Sequence, residues 1–600
     1  MTILGQDPGV KLGENQVALA EVDIPAEALE PGPCGHRVYV VDYDASTGVM
    51  HEPVDFGQLA SSGDPFRDFD FDAVVSNRAF RAMNVYAIVM RTLARFESAL
   101  GRRVGWQMVG HQLKVVPHAF EDANAFYSPS AEALLFGYFP GPEGNMIFSC
   151  LSHDVVAHET THALVDGLRD RFTDPSGPDQ AAFHEGFADV VALLSVFSLP
   201  EVTKAVIDYK FDPARSKKKK PVPPEYVRAD DVKPEALKKS VLLGLAQQMG
   251  QALSRSRGQA LRQSATLSPD LGYYLNQDAY LEPHRRGEIF AAAMLDAFVR
   301  TWDARIQRLH VVHNADGDLY SREAVVQEGA EVADYMLTMA IRALDYTPPI
   351  HLTFDEYVAA LLTADARVRP NEGRYRFREF IKESFESFGI ICKPRFTTPD
   401  GLWEPVQDEF GYDLTRFAPM QRARDEVFRF VWENLEMLGL SPDAYTEVSS
   451  IRQALRIAPE DGFPVSETVV ETVQLLGATA GELEQFGIGK PADMPDNTRV
   501  VLRGGATLIF NDYGRLLYRI PNTLPKPVEH QTSADQRAVQ LYEDRLKHLW
   551  EHGYFEPPTD RSSATSGAAK PWRIRYRDQR FRELHLNRAL DLGTDTREVW

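Results

Sequence analysis

Residues 152–172 read SHDVVAHETTHALVDGLRDRF, and within them HETTH sets His158 and His162 four positions apart around Glu159. The apolar spacing predicts a helix over 155–170. On a helix, residues i and i+4 lie one above the other, so both imidazoles can reach a single ion at about 2 Å, with Glu159 one step round on the same side. That is the zincin pattern, a metal-binding pair with a carboxylate beside it to serve as a base. In a chain with 16 histidines the pattern also arises by chance, so a third donor must accompany it.

A catalytic zinc takes three protein ligands and keeps one position for water, and the third ligand comes from a separately anchored element. The run FHEGFADVVALL, 183–194, falls in a helix predicted over 183–198 and supplies the candidates. Glu185 is assigned as the third ligand. Asp189, one turn later on the same face, is placed to accept a hydrogen bond from the far ring nitrogen of a metal-bound histidine. His184 is the competing ligand; its neighbour's pairing with Asp189 favours Glu185. The expected cofactor is one Zn2+ per chain.

The rest of the chain frames this pair of helices. Its 600 residues are 44% hydrophobic and 25% charged, a folded protein's composition with room for roughly two to four domains. The formal charge of −21 argues against nucleic-acid binding and against adhesion to an anionic membrane. No run of about 18 apolar residues predicts a membrane span, and the opening MTILGQDPGVKLGENQ lacks a secretory pattern, so a cytoplasmic protein is expected. Cys34, Cys150 and Cys392 form neither a disulfide framework nor a zinc-ligand spacing.

Residues 1–35, rich in Gly, Pro and acids, are expected to form an irregular arm. A strand is predicted at 36–44, a helix from Ser76 or Asn77 to Gly101, and two strands within 105–120. Further helices are predicted at 234–256, 286–308, 322–345, 353–365 and 374–388. The class is therefore α+β: a strand-rich lobe over 36–153, a helical lobe bearing the zinc site over 154–391, and a C-terminal mixed α/β extension over 392–600. That extension carries a predicted hairpin at 506–520, a helix at 534–552 and a linker at 560–571, and its sequence names no function. The lysine-rich stretch 212–224 reads as a solvated loop. In the tail KPWRIRYRDQRFRELHLNRAL, 570–590, arginines alternate with apolar residues; docking of an acidic protein partner is one reading, packing against this acidic chain the other.

DVVAHETTHALVD, 154–166, followed by HEGFADVVAL, 184–193, resembles the thermolysin-like zinc metallopeptidases, the gluzincin type. NAFY (124–127), GQALR (258–262), EPHRRGEIFAAAMLDAF (282–298), FDEYVAALLTADARV (354–368) and FIKESFESFGI (380–390) are similar to further family stretches in the family's order, so the resemblance spans about 36–391. It implies a two-lobed catalytic unit that hydrolyses peptide or protein substrates. His158, His162 and Glu185 would bind zinc, and Glu159 would be the general base. Asn124 and the backbone of Ala125 would pair with substrate as an added strand, and Arg262 would hold a substrate carbonyl. His284 would donate to the oxyanion, steered by Asp278 or Glu282, and Val155 and Leu261 would line an apolar pocket.

The chain also departs from the family. Phe172 stands where a tyrosine helps bind the oxyanion, a hydrogen bond worth about 2–4 kcal/mol, so either the enzyme is slower or Tyr127, Arg285 or Arg286 substitutes. Extra residues, PDQAAFH (178–184), are expected to lengthen the loop below the zinc, and His184 sits where the family orients the second zinc histidine. Asp154 matches one calcium ligand, but Val196 replaces a glutamate, so calcium is not expected. Two rival readings stand beside the peptidase: an aminopeptidase on the same core, for which no motif holding a free amino terminus is visible, and a catalytically weakened zinc-containing binding or scaffold protein, against which the retained Glu159 counts.

Overall fold

The computed structural model describes residues 1–5, 8, 19–56, 64–67, 71–141, 144–210, 222–238, 266–314, 317–370, 376–393, 395–457, 462 and 464–555. Leu261, Arg262, the linker at 560–571 and the basic tail lie outside them, as do most of the predicted helix 234–256 and of the lysine loop. Helices and strands both build the chain, an α+β arrangement.

The N-terminal arm is not wholly irregular: β1 (Thr2–Leu4) pairs antiparallel with β2 (Leu19–Glu21). Ile3 and Leu4 are fully buried, and the Leu4 amide donates to Asn84, which pins the arm to the first long helix. That helix, α1 (Arg78–Leu100), starts where Asn77 accepts from the amides of Ala79 and Phe80 and ends at Gly101. Gly101 has φ 67°, and a Cβ there would lie 2.2 Å from the Leu455 carbonyl oxygen, so both the turn and the neighbouring strand require glycine.

Beside α1 lies a sheet of β3 (Val38–Val40), β4 (Leu113–Glu121), β5 (Ala125–Ser128), β6 (Ala133–Pro140) and β7 (Met146–Phe148). Its order is β3-β4-β6-β5, with β7 also on β6, so β5 is an edge strand. The sequence predicts two strands within 105–120 and the structure has one, because Trp106 donates its indole N–H to the Arg37 carbonyl at 3.1 Å and holds the first part as a loop. The strand predicted over 36–44 is broken after Val40, and Tyr43–Asp44 forms a separate short pairing.

The helical lobe contains α2 (His153–Leu168), α3 (Pro178–Phe197), α4 (Pro283–Ile306), α5 (Arg322–Ala343), α6 (Phe354–Val368) and α7 (Phe377–Ser387). PDQAAFH is not a loop but the first two turns of α3. Pro178 suits the first helical turn, and Gln180 fastens the start by donating to the carbonyls of Arg171, Phe172 and Asp174 while accepting from the Leu352 amide. α3 and α4 meet at Gly186 and Gly287, where backbone touches backbone. Among the described residues no single helix is long and apolar enough to cross a membrane.

The C-terminal part contains an antiparallel meander of β8 (Tyr445–Ile457), β9 (Pro464–Thr479), β10 (Arg499–Asn511) and β11 (Leu516–Asn522). The predicted hairpin is its last turn; β8 and β9 are additional. The core of the helical lobe extends past the boundary expected at 391. Val469, Ile509 and Ile520 join the core cluster of the helical lobe, while Val470, Leu508 and Phe510 pack against Val427, Phe430 and Val431 of the helix Arg424–Glu433. Buried ion pairs cross the same seam, with Glu471 of β9 meeting both Arg169 and Arg452.

Candidate metal centre

His158 and His162 lie on one side of α2 with their Nε2 atoms 3.0 Å apart. Glu185 reaches them from α3, its Oε2 3.6 Å from His158 Nε2 and 3.7 Å from His162 Nε2. All three side chains are buried, and among the described residues neither oxygen of Glu185 accepts a hydrogen bond of ordinary geometry. A buried carboxylate without donors costs several kcal/mol unless a positive charge meets it. Three ligands about 2.0–2.1 Å from a tetrahedral ion lie about 3.3 Å from one another. The observed spacings bracket that value, so the group can hold a metal ion with little movement.

The outer ring nitrogens fix the orientation of both imidazoles. His158 Nδ1 lies 2.9 Å from Asp189 Oδ1, and His162 Nδ1 lies 3.0 Å from His184 Nδ1. With both Nε2 lone pairs turned inward, each Nδ1 carries its proton outward. Asp189 accepts one directly, and His184 accepts the other in its neutral Nε2–H form. Burial lowers the pKa of His162, which favours the neutral ring that ligation requires. Burial opposes ionisation of Glu185, but the adjacent His284 and His162 outweigh it and hold the carboxyl well below its usual range.

Glu159 is fully buried, and its Oε2 accepts from the backbone amide of Tyr127 at 2.9 Å. The register explains this contact. Gly137 donates to the Asn124 carbonyl, so Ala125 and Tyr127 occupy the non-hydrogen-bonded pairs of β5 with β6 and turn their own N–H and C=O groups to the open edge, toward α2. The Ala125 amide is taken by the side chain of Asn124 at 2.9 Å. Asn124 therefore turns back on its own strand.

His284 stands at the start of α4 with Nε2 3.4 Å from Glu185 Oε2. Glu282, not Asp278, steers it: Glu282 caps the helix by accepting from the amides of His284 and Arg285, and its Oε1 lies 2.7 Å from His284 Nδ1. Despite burial, the hydrogen bond from His284 and the helix amides hold the Glu282 carboxyl down to about 2.

Phe172 is a core residue, edge-on to Phe183 at 5.9 Å. Two of the three side chains expected to replace the missing tyrosine are engaged elsewhere. The Tyr127 hydroxyl donates to Asp166 at 3.0 Å, Arg286 pairs with Asp179 at 2.5 Å, and Arg285 is exposed. Val155 lies one turn before Glu159 on α2 and is buried. The sequence reading missed the Tyr127 amide, which as a backbone group leaves no side-chain signature. It also gave Asp166 no role, although its place one turn beyond His162 was the available signal. No protein-family model and no curated protein matches the chain, so its chemistry rests on the geometry of these side chains.

Proposed function

We propose that the chain is a zinc endopeptidase of thermolysin-like design, with the strand lobe and the helical lobe forming its catalytic unit. The observation that carries this reading is Glu185, a buried carboxylate with no hydrogen-bond donor of ordinary geometry among the described residues, set 3.6 and 3.7 Å from the Nε2 atoms of two imidazoles. Bound zinc would supply a Lewis acid that acidifies water and polarises a carbonyl. Glu159, pinned by the Tyr127 amide, takes the proton of the attacking water and passes it to the departing amine. His284, held by Glu282, donates from Nε2 to the developing oxyanion. The edge strand β5 meets an extended peptide as an added strand would.

The test is zinc content and peptide cleavage measured together in the wild type and in Glu159→Gln. Zinc retained in both, with cleavage at least about 100-fold slower in the variant, is the expected result. Zinc retained with no cleavage in either, across a broad peptide set, overturns the enzyme in favour of a zinc-bearing binding protein.

A further inference from the structure

Where α5, α6 and β8 meet, three guanidinium groups gather about two carboxylates. Arg102 makes a bidentate pair with Asp345 at 2.6 and 2.7 Å, Arg456 bridges Asp345 and Glu467, and Arg367 reaches Glu467 at 3.1 Å. Tyr346 adds its hydroxyl to Glu467 at 2.7 Å. Each carboxylate already meets two guanidinium groups, and neither contacts Arg342.

Arg342 is only 6% exposed, yet among the described residues its partners are neutral carbonyls: Ala99 at 2.8 Å from Nε and Ile457 at 3.5 Å from Nη2. Its Nη1, and Nε of Arg456, are buried N–H groups with no acceptor among the described residues. Both side chains line one cavity of about 10 Å3, shared with Arg367 and Tyr346. That is room for about one water-sized particle. Burial, and then repulsion by Arg456, push the Arg342 guanidinium down to about 10. Two cations line one small void and each keeps a spare donor, so a compact negative charge between them would match both. Water would satisfy the donors and leave the charge unmatched, whereas phosphate exceeds the space. Arg367, 32% exposed, gives the cavity a side open to solvent.

We propose that this cavity is a chloride site: a compact monovalent anion held between Arg342 and Arg456, with Arg367 at its mouth, tying the helical lobe to the C-terminal sheet. The site stands apart from the metal centre and does not depend on the peptidase reading.

The test uses the full chain. Melting is compared in sodium chloride, bromide and gluconate at matched ionic strength, and crystals soaked in bromide are examined for anomalous scattering. A saturable rise of about 2 °C in the two halides over gluconate is expected, with a bromide peak between Arg342 and Arg456. Arg342→Gln should lose both. Should that variant fail to fold, the wild-type map decides. Absence of a bromide peak at this position overturns the proposal whatever the melting curves show, and leaves an ordered water as the occupant.

Discussion

Asp189 Oδ1 lies 2.9 Å from His158 Nδ1, one turn along α3 from Glu185. A single helix thus presents both the carboxylate that could hold an ion and the acceptor that orients His158. Asp189→Ala should leave the fold intact and weaken zinc binding about 10–100-fold, read by competition with a chelator of known affinity. Affinity equal to the wild type would reduce the contact to packing.

Gly287 should be intolerant of even one methyl group. A Cβ there would lie 2.8 Å from the Gly186 nitrogen and 2.9 Å from the Ala182 carbonyl, both backbone atoms that cannot step aside. α4 must move, and it carries His284 one turn earlier, 3.4 Å from Glu185. Gly287→Ala is expected to cost about 1–3 kcal/mol in urea unfolding. It should also lower kcat with zinc content unchanged, whereas an unaltered kcat would uncouple the helix crossing from the reaction.

Glu471 holds Arg169 and Arg452 at the seam between β9 and the end of α2, where Arg452 also donates to the Leu168 carbonyl at 2.6 Å. Removing the carboxylate takes the ion-pair partner from one buried and one half-buried cation. Glu471→Ala is therefore expected to destabilise the whole chain by about 3–5 kcal/mol in a single unfolding transition that includes loss of zinc. Glu426→Ala, which breaks the surface pair with Arg429, is the control and should change stability by less than about 1 kcal/mol. Two separate transitions in the Glu471 variant would mean that the sheet and the helical lobe fold independently.

What the sequence discloses of the site follows from where its chemistry resides. His158, His162, Glu185, Asp189 and His184 act through side chains at helical spacing, so identity and interval place them before any coordinates. Asp278 and Glu282 were indistinguishable in sequence; the structure separates them because only Glu282 occupies the cap of α4. The pin on Glu159 comes from a main-chain amide and is set by strand register, which no residue type announces. β8 and β9 escaped reading for a different reason. The central strand β9 is covered on both faces, and its buried positions include Glu467, Thr468, Glu471, Thr472 and Gln474, polar residues that break the alternation that marks a strand. The start of α3 was hidden because the cross-links from Gln180 are tertiary.

The central claim is that two imidazoles of α2 and one carboxylate of α3 share an ion that keeps a position for water. X-ray absorption at the zinc edge on the purified full chain tests it most directly. The account predicts one zinc per chain with two nitrogen ligands at about 2.0–2.1 Å, a carboxylate oxygen at about 2.0–2.2 Å and a light-atom solvent ligand, with the carboxylate lost in Glu185→Ala. A zinc-free protein that does not take up the ion, or a spectrum showing four protein side chains around it, would contradict it.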